Sequence, residues 1–124
     1  MYKRKTEIKK SRKQQIRKRI RKKISGTEER PRVIVMRSNR YIYVQAVDDL
    51  NGVILASAST LEKEFRTKYK NFKNNEASKK LGEIAADRFK KNKIKDIIFD
   101  RGTYPYHGRI KTLAESMRKA GLNF

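Results

Sequence analysis

Residues 32–59 read RVIVMRSNRYIYVQAVDDLNGVILASAS, and this stretch decides the fold. It contains three runs rich in β-branched residues, each with the alternating pattern that is typical of a half-buried strand. Asn39-Arg40 separates the first two runs, and residues 49–52 (DLNG) separate the second from the third. Both links consist of residues that favour turns. The stretch therefore predicts three consecutive antiparallel strands.

Downstream, the pattern changes to two helices with one more short strand between them. Residues 61–74 are polar with scattered aromatics and are interpreted as a loop, after which Asn75 can cap a helix. One apolar face of that helix is formed by Ala77, Leu81, Ile84, Ala85 and Phe89. Residues 96–100 (DIIFD) predict a short buried strand. The last helix ends at Gly121 and has an apolar side formed by Ile110, Leu113, Ala114 and Met117.

The predicted element order is β-β-β-α-β-α. A strand that returns beside earlier strands after a helix makes a right-handed parallel crossover, so the sheet should be mixed and covered by helices. The fold class is therefore α/β, with a domain over residues 27–124 behind a basic N-terminal arm over residues 1–26.

The charge of the chain points to a polyanionic partner. It has 34 Lys and Arg against 13 Asp and Glu, a formal net charge of +21, which would cause strong self-repulsion in a compact body. No apolar run approaches the ~18 residues of a membrane span, and no secretory signal begins the chain. Without cysteine, and with one histidine, disulfides are excluded and a zinc site is disfavoured. We expect a cytoplasmic protein without a cofactor.

The N-terminal arm carries much of this charge, since residues 1–24 contribute a net +12. Ile8, Ile16, Ile20 and Ile24 fall on one helical stripe, and Gly26 stops the run. Because like charges repel along a helix, we expect the arm to be partly disordered when free and helical against phosphate. The candidate RNA-binding residues in the arm are Lys9, Arg12, Lys13, Arg17, Arg21 and Lys22.

A basic amphipathic helix can also lie on a membrane surface. Single isoleucines without Trp, Leu or Phe on the stripe give little apolar area to insert, so the arm favours nucleic acid as its partner.

Aspartates at the predicted strand ends raise a metal-dependent nuclease as an alternative. They are Asp48, Asp49, Asp96 and Asp100, and two such carboxylates around magnesium could activate water. However, Asp48 and Asp49 are ordinary turn residues, and Asp100 can pair with Arg101 or cap the loop that follows. The sequence has no Gly-rich phosphate loop and no Ser-His-Asp or Cys-His set, so it favours binding over catalysis.

Two segments of the domain hold further candidate RNA contacts. Around the first hairpin these are Arg30, Arg32, Arg37, Ser38, Asn39, Arg40, Tyr41 and Tyr43. In residues 100–111 (DRGTYPYHGRIK), where Pro105 stiffens a glycine-bounded loop, they are Arg101, Tyr104, Tyr106, His107, Gly108, Arg109 and Lys111. The tyrosines of both segments either stack on bases or pack into the core.

Three quoted segments carry a resemblance to a known family. GTEERPRVIVMRSNRYIYVQAVDD (26–49), ASAST (56–60) and FDRGTYPYHGRIKTLAESMRKAGLNF (99–124) strongly resemble the bacterial family of large-subunit ribosomal protein eighteen. The resemblance covers essentially the whole chain, with several motifs in the right order.

This resemblance implies a mixed-sheet domain similar to the ribonuclease-H motif without its catalytic acids. It also implies a protein without enzymatic activity that binds 5S ribosomal RNA and helps attach it to 23S ribosomal RNA in the central protuberance, with the other 5S-binding large-subunit proteins as partners. No small-molecule substrate is expected. The alternative of the same binding class is a general nucleic-acid-binding protein of the nucleoid or RNA-chaperone type.

Overall fold

The structure is a computed structural model that describes residues 12–20, 24–38, 40–69 and 74–124. The elements in chain order are helix α1 (residues 12–20), strands β1 (Arg32–Arg37), β2 (Ile42–Asp48) and β3 (Val53–Ser59), helices α2 (Lys63–Lys68) and α3 (Asn74–Lys91), strand β4 (Ile98–Asp100) and helix α4 (Gly108–Lys119).

The four strands form one mixed sheet in the order β3-β2-β1-β4. β1 pairs with β2 and β2 with β3 in antiparallel fashion, whereas β4 runs parallel to β1. The three antiparallel strands, the turn at residues 49–52 and the return of β4 are confirmed. The first link is also short, because the Ser38 N–H donates to the Tyr41 carbonyl at 2.8 Å, with only residues 39 and 40 between them.

Helices cover one face of the sheet and enclose the core. Val33 and Val35 of β1, together with Val44 and Ala46 of β2, point to this face and are buried. The predicted apolar sides of α3 and α4 pack there, with Phe89, Leu113 and Met117 among the fully buried side chains. α3 and α4 approach closely at Gly82, where an added Cβ would lie 2.8 Å from the Cβ of Ser116.

The expectation of a loop over residues 61–74 is wrong, because α2 lies within them. Its only described buried residue is Phe65, whose ring lies 5.0 Å from that of Tyr69. A six-residue helix has little stability of its own, so tertiary packing of Phe65 rather than the polar sequence determines it. The next helix, α3, begins at Asn74, so the expected cap residue Asn75 already lies inside it.

The opposite face of the sheet is only partly covered. Met36, Tyr43 and Gln45 lie on it, and Met36 stays 39% exposed. The outer strand, β3, carries exposed Val53 and Ile54 next to a register shift opposite Ala46 and Val47. No other strand in the described part of the chain pairs with the outer edge of β3.

Candidate nucleic-acid interface

Arg32 lies at the start of β1, where it is held by two carboxylates. Its Nε and Nη2 donate to Asp49 at 2.8 and 2.9 Å, and its Nη1 donates to Asp100 at 2.8 Å. The side chain is only 6% exposed. Hydrogen bonding to Asp49, above all, raises the pKa of Arg32. The guanidinium of Arg32, one of the predicted RNA contacts, is thus bonded to carboxylates inside the fold.

The same group of charges anchors the end of the arm. The Gly26 N–H donates to an Asp49 carboxylate oxygen at 2.7 Å, and the Gly26 carbonyl accepts from the Asp49 N–H at 2.9 Å. A side chain at Gly26 would collide with the sheet, because an added Cβ would lie 2.3 Å from the backbone nitrogen of Arg32. Gly26, predicted as the end of the arm, thus packs into the domain.

The aspartates of the nuclease alternative all have structural partners. Asp48 accepts from the Leu50 and Asn51 backbone and from the Asn51 side chain, as a turn residue does. Asp100 accepts from Gly102 N–H at 2.8 Å, which is the loop cap that the sequence allowed, and its ion pair is with Arg32 instead of Arg101. Asp96 accepts from the Asn123 side chain. Within the ranges that the structure describes, no three acidic or histidine side chains form a possible metal site.

The other end of β1 meets the loop that follows β4. The Arg37 N–H donates to the Tyr104 hydroxyl, which in turn donates to the Arg37 carbonyl, both at 3.2 Å. The Arg37 guanidinium also lies 5.2 Å from the centre of the Tyr104 ring. Tyr104 therefore holds the backbone at the end of β1, and its ring packs against the Arg37 guanidinium.

Arg109, in the first turn of α4, approaches this strand end from the helix side. Its Nη2 donates to the Ser38 carbonyl at 3.3 Å. Burial, and secondarily the charge of Arg37, lower the pKa of Arg109. The fold thus holds two like charges close together, an arrangement that a bound anion would stabilise.

The rest of the 100–111 loop is held by one internal contact and by contacts with β4 and α4. Arg101 donates to the Tyr104 carbonyl at 2.5 Å, and the Tyr106 ring lies edge-on to Phe99 at 6.4 Å. The Tyr106 hydroxyl accepts from Arg118 at 3.3 Å, yet 38% of the residue is exposed. His107 precedes α4 as an exposed N-cap without a side-chain capping bond.

Gly108 and Lys111 are the remaining candidates on this side. Gly108 has a φ of +58°, which favours glycine, and it opens the helix. Lys111 is exposed and lies 4.0 Å from Glu115, a separation at which an exposed ion pair contributes little.

A cavity of about 620 Å³ opens beside Arg109 at this end of the sheet, and we call it the sheet-end cavity. It is lined by Arg40, Tyr41, Ile42, Thr60, Lys63, Phe65, Arg66, Thr67, Tyr69, Ala77 and Arg109. The sequence predicts Arg40, Tyr41 and Arg109 as RNA contacts. It misses Lys63 and Arg66, because they lie on α2 in a stretch interpreted as a loop. The excess of basic over acidic residues in 61–74 is the only sequence feature that indicates a binding role for this stretch.

A second cavity, of about 690 Å³, lies on the other side of Arg109. Its lining includes Arg37, Glu76, His107 and Gly108. The structure therefore brings the first hairpin and the 100–111 loop, more than 60 residues apart in sequence, to one end of the sheet.

The described part of the arm adds further basic residues. Arg12, Lys13 and Arg17 lie on α1 and are exposed. Arg17 lines a cavity of about 180 Å³ together with Met36, Gln45 and Tyr104. Because Tyr104 also contacts Arg37, this cavity connects Arg17 of α1 to the end of the sheet.

The other predicted contacts have separate positions. Arg30 is exposed, and its N–H donates to the Thr27 hydroxyl at 3.0 Å. Ser38 Oγ accepts from the Tyr41 N–H at 3.1 Å, which stabilises the hairpin. Tyr43 lies half-buried on the sheet face away from the core. Four candidates fall outside the described residues: Lys9, Arg21, Lys22 and Asn39.

Comparisons with known proteins identify a family. The family model described as ribosomal L18 of archaea, bacteria, mitochondria and chloroplasts matches residues 5–124. Over 106 residues, covering 86% of this chain and 87% of the relative in each case, the chain is 56% identical to large ribosomal subunit protein uL18 of Dictyoglomus thermophilum and 52% identical to that of Bacillus cereus.

Among the described residues, no helix combines the length and the apolar character that crossing a bilayer requires. The family match covers the arm from residue 5 as well as the domain. The chain therefore belongs to the ribosomal L18 family, and it is a structural constituent of the large subunit of the cytoplasmic ribosome rather than an enzyme.

Proposed function

We propose that this protein binds 5S ribosomal RNA and helps attach it to 23S ribosomal RNA in the central protuberance. The observation that carries the proposal is the concentration of Arg37, Arg40, Lys63, Arg66 and Arg109 around two adjoining cavities at one end of the sheet. Folded RNA presents phosphates, 2′-hydroxyls and unpaired bases, and proteins recognise it largely by shape and stacking. A concave basic surface with aromatic walls suits such a partner better than a uniform duplex.

Hydrogen bonds fix this surface before RNA binds, and this supports specific binding. Tyr104 fixes the backbone at Arg37 through two hydrogen bonds, and Arg101 holds the loop through the Tyr104 carbonyl. Donors that are fixed before binding lose less conformational entropy when RNA arrives, so more of their interaction energy contributes to affinity.

The arm supplies the part of the affinity that does not depend on sequence. Arg12, Lys13 and Arg17 lie on α1, and each phosphate contact of this kind releases counterions. We propose that residues 1–23, including Lys9, Arg21 and Lys22, act together on the RNA backbone and that the body from Gly26 folds without them.

Further partners follow from the family resemblance. We propose contacts with 23S ribosomal RNA and with the other 5S-binding large-subunit proteins, and no small-molecule substrate or cofactor. The second candidate function, a general nucleic-acid-binding protein, is favoured only by the net charge of +21.

A competition experiment separates the two functions. Labelled 5S ribosomal RNA from the same organism is bound to the full-length protein at fixed salt and challenged with unlabelled 5S RNA or with duplex DNA of equal phosphate concentration. We expect 5S RNA to compete at far lower concentration than the duplex. Equal competition would favour the general binder and contradict the proposal.

Deletion of residues 1–23 tests the arm in the same assay. The truncated protein should keep its sheet by circular dichroism, because Gly26 and its bonds to Asp49 remain. Its affinity should fall, and the slope of log affinity against log salt should flatten by roughly 0.7–0.9 for each phosphate that the arm no longer neutralises. Loss of the sheet would contradict the domain boundary, and an unchanged slope would contradict the role of the arm.

A further inference from the structure

We propose that the sheet-end cavity receives one unstacked nucleotide of the bound RNA, with its base against Tyr41 and its flanking phosphates on Arg40, Arg66 and Arg109. This inference rests on the proposed function, because it names the part of the RNA that this surface recognises. It assigns a role to α2, which none of the sequence motifs suggested.

The size of the cavity fits a ligand of nucleotide scale. Its volume of about 620 Å³ lies within the range of roughly 300–1,000 Å³ that is usual for small-molecule sites. The cavity has an apolar part formed by Ile42, Phe65 and Ala77, of which Ile42 and Phe65 are buried. A planar base can enter such a space, whereas a stacked and paired base inside a helix cannot.

The charges around the opening suit phosphate on more than one side. Four cationic residues line it, namely Arg40, Lys63, Arg66 and Arg109, and they come from the hairpin, α2 and α4. Among the described lining residues there is no carboxylate. The lowered pKa of Arg109, caused by burial and by Arg37, is consistent with a site whose positive charge gains from an anion.

Tyr41 is the aromatic side chain best placed to meet a base. In the described part of the chain, neither another ring nor a hydrogen bond to its hydroxyl engages the Tyr41 side chain, which is half-buried. Tyr69, the other tyrosine of the cavity, instead packs on Phe65 and has Lys68 and Lys80 within 6 Å of its ring centre. Stacking on a tyrosine is tolerant of base identity and strengthens RNA binding substantially.

The tyrosines of the 100–111 loop are less suited to this role. Tyr104 is occupied by Arg37 on its ring and at its hydroxyl, and Tyr106 packs on Phe99 and accepts from Arg118. An RNA base would have to displace these contacts before it could stack there.

A pair of substitutions at one position tests the stacking. Tyr41→Leu removes the ring and leaves every charge in place, whereas Tyr41→Phe keeps the ring and is the matched control. With 5S ribosomal RNA, we expect Tyr41→Leu to bind about tenfold more weakly or worse, with an unchanged salt slope. Tyr41→Phe should bind within about twofold of the wild type. Equal binding by Tyr41→Leu and wild type would overturn the inference.

Chemical probing of the RNA bases gives an independent readout. In the wild-type and Tyr41→Phe complexes, one unpaired nucleotide of 5S RNA should be protected from base-modifying reagents, and it should react again in the Tyr41→Leu complex. Identical protection in all three complexes would overturn the inference. So would normal RNA binding by Tyr41→Leu with loss of a neighbouring ribosomal protein, since the cavity would then take a protein segment.

A charge substitution keeps the test valid if Tyr41→Leu fails to fold. Arg66 is exposed on α2, so Arg66→Ala should fold, lower the salt slope by about one and release the protected nucleotide. Lys91→Ala, at the far end of α3, is the matched control and should leave the protection intact. An Arg66→Ala complex with wild-type protection would overturn the inference.

The proposed function fails separately from this inference. A wild-type protein with no affinity for 5S RNA would contradict both the proposed function and the nucleotide site. Wild-type binding that does not change when Tyr41 or Arg66 is substituted would contradict only the nucleotide site.

Discussion

Strand β1 carries arginines at both ends, and the two ends of the strand are used differently. At its start, Arg32 is buried between Asp49 and Asp100, and its pKa is raised. At its other end, Arg37 lies exposed against Tyr104, next to Arg109 with its lowered pKa. No sequence pattern separates these arginines, and all of them are predicted RNA contacts on sequence grounds.

This difference shows that the positions of carboxylates in the fold decide whether an arginine is buried in an ion pair or stays exposed. Asp49 and Asp100 stand 17 and 68 positions from Arg32 in sequence, yet the turn after β2 and the end of β4 bring both to its guanidinium. At the opposite end of β1, Arg37 lies against the Tyr104 ring, Arg109 donates to the Ser38 carbonyl, and Glu76 shares a cavity with both arginines. The residues that line the two cavities there carry more positive than negative charge, which favours an anion over a cation.

The largest expected effect is on stability, from Arg32→Met. Removing one partner of a buried ion pair leaves the other charge uncompensated, so we expect the free energy of unfolding to fall by about 3–5 kcal/mol. Urea denaturation measures this change. Arg30→Met, which alters an exposed arginine two positions away, is the control and should change the free energy by less than about 0.5 kcal/mol.

The same variant also tests the assignment of Arg32 to the fold. Under conditions where Arg32→Met is folded, its affinity for 5S ribosomal RNA should equal that of the wild type. A stable variant with weakened RNA binding would reverse the comparison between the two ends of β1.

A smaller effect, on binding instead of stability, is expected from Arg109→Ala. RNA affinity should fall by roughly 1–3 kcal/mol, the range for a specific arginine contact. The free energy of unfolding should change by less than about 0.5 kcal/mol, because burial and Arg37 both disfavour the charge of Arg109 in the free protein.

Filter binding and thermal melting on the same sample separate these two quantities. Lys119→Ala, at the exposed end of the same helix, is the control for a general loss of charge. A large fall in melting temperature for Arg109→Ala, with binding reduced only in proportion to folding, would make this end of the sheet a scaffold.

The smallest effect is expected at an ion pair of intermediate exposure, Glu62 with Arg88. The two side chains are 34% and 35% exposed and make two bonds of 2.6 Å, which lower the pKa of Glu62. Because water screens the pair, Glu62→Gln should cost only about 0.2–1 kcal/mol of unfolding free energy at neutral pH.

The pH dependence of this cost has a definite sign. A carboxyl group with a lowered folded-state pKa stabilises the fold above its ordinary pKa of about 4.5, and that contribution is lost as the pH falls through the lower value. The wild type and Glu62→Gln should therefore converge in stability in acid. A difference that persists below both pKa values would show that packing, rather than charge, connects the start of α2 to α3.

Local patterns are sufficient to predict most of the fold. The alternation in residues 32–59 predicts three strands, and the spacing of Leu81, Phe89, Leu113 and Met117 predicts the buried sides of α3 and α4. Helix α2 cannot be found in this way, because its one buried side chain, Phe65, makes no periodic pattern.

The candidate site is only partly predictable, because residue type does not give the partner. Arg40 and Arg109 are found from the sequence, whereas Lys63 and Arg66 reach the same cavity through a helix that depends on tertiary contacts. The burial of Arg32 depends on two aspartates that are remote in sequence. Which sheet face the helices cover, and therefore where Tyr43 lies, also follows only from the assembled sheet.

The outer edge of β3, with which no strand in the described ranges pairs, has a consequence for the solubility of the protein before assembly. Backbone groups along this edge, next to exposed Val53 and Ile54, can pair with a strand of another copy. One backbone group of β3, the Ser57 carbonyl, already accepts a hydrogen bond from Arg88 at 3.0 Å. Electrostatic repulsion between copies that each carry +21 opposes pairing elsewhere, and salt screens this repulsion. The free protein should therefore stay monomeric at low ionic strength and begin to self-associate through β3 as salt is raised.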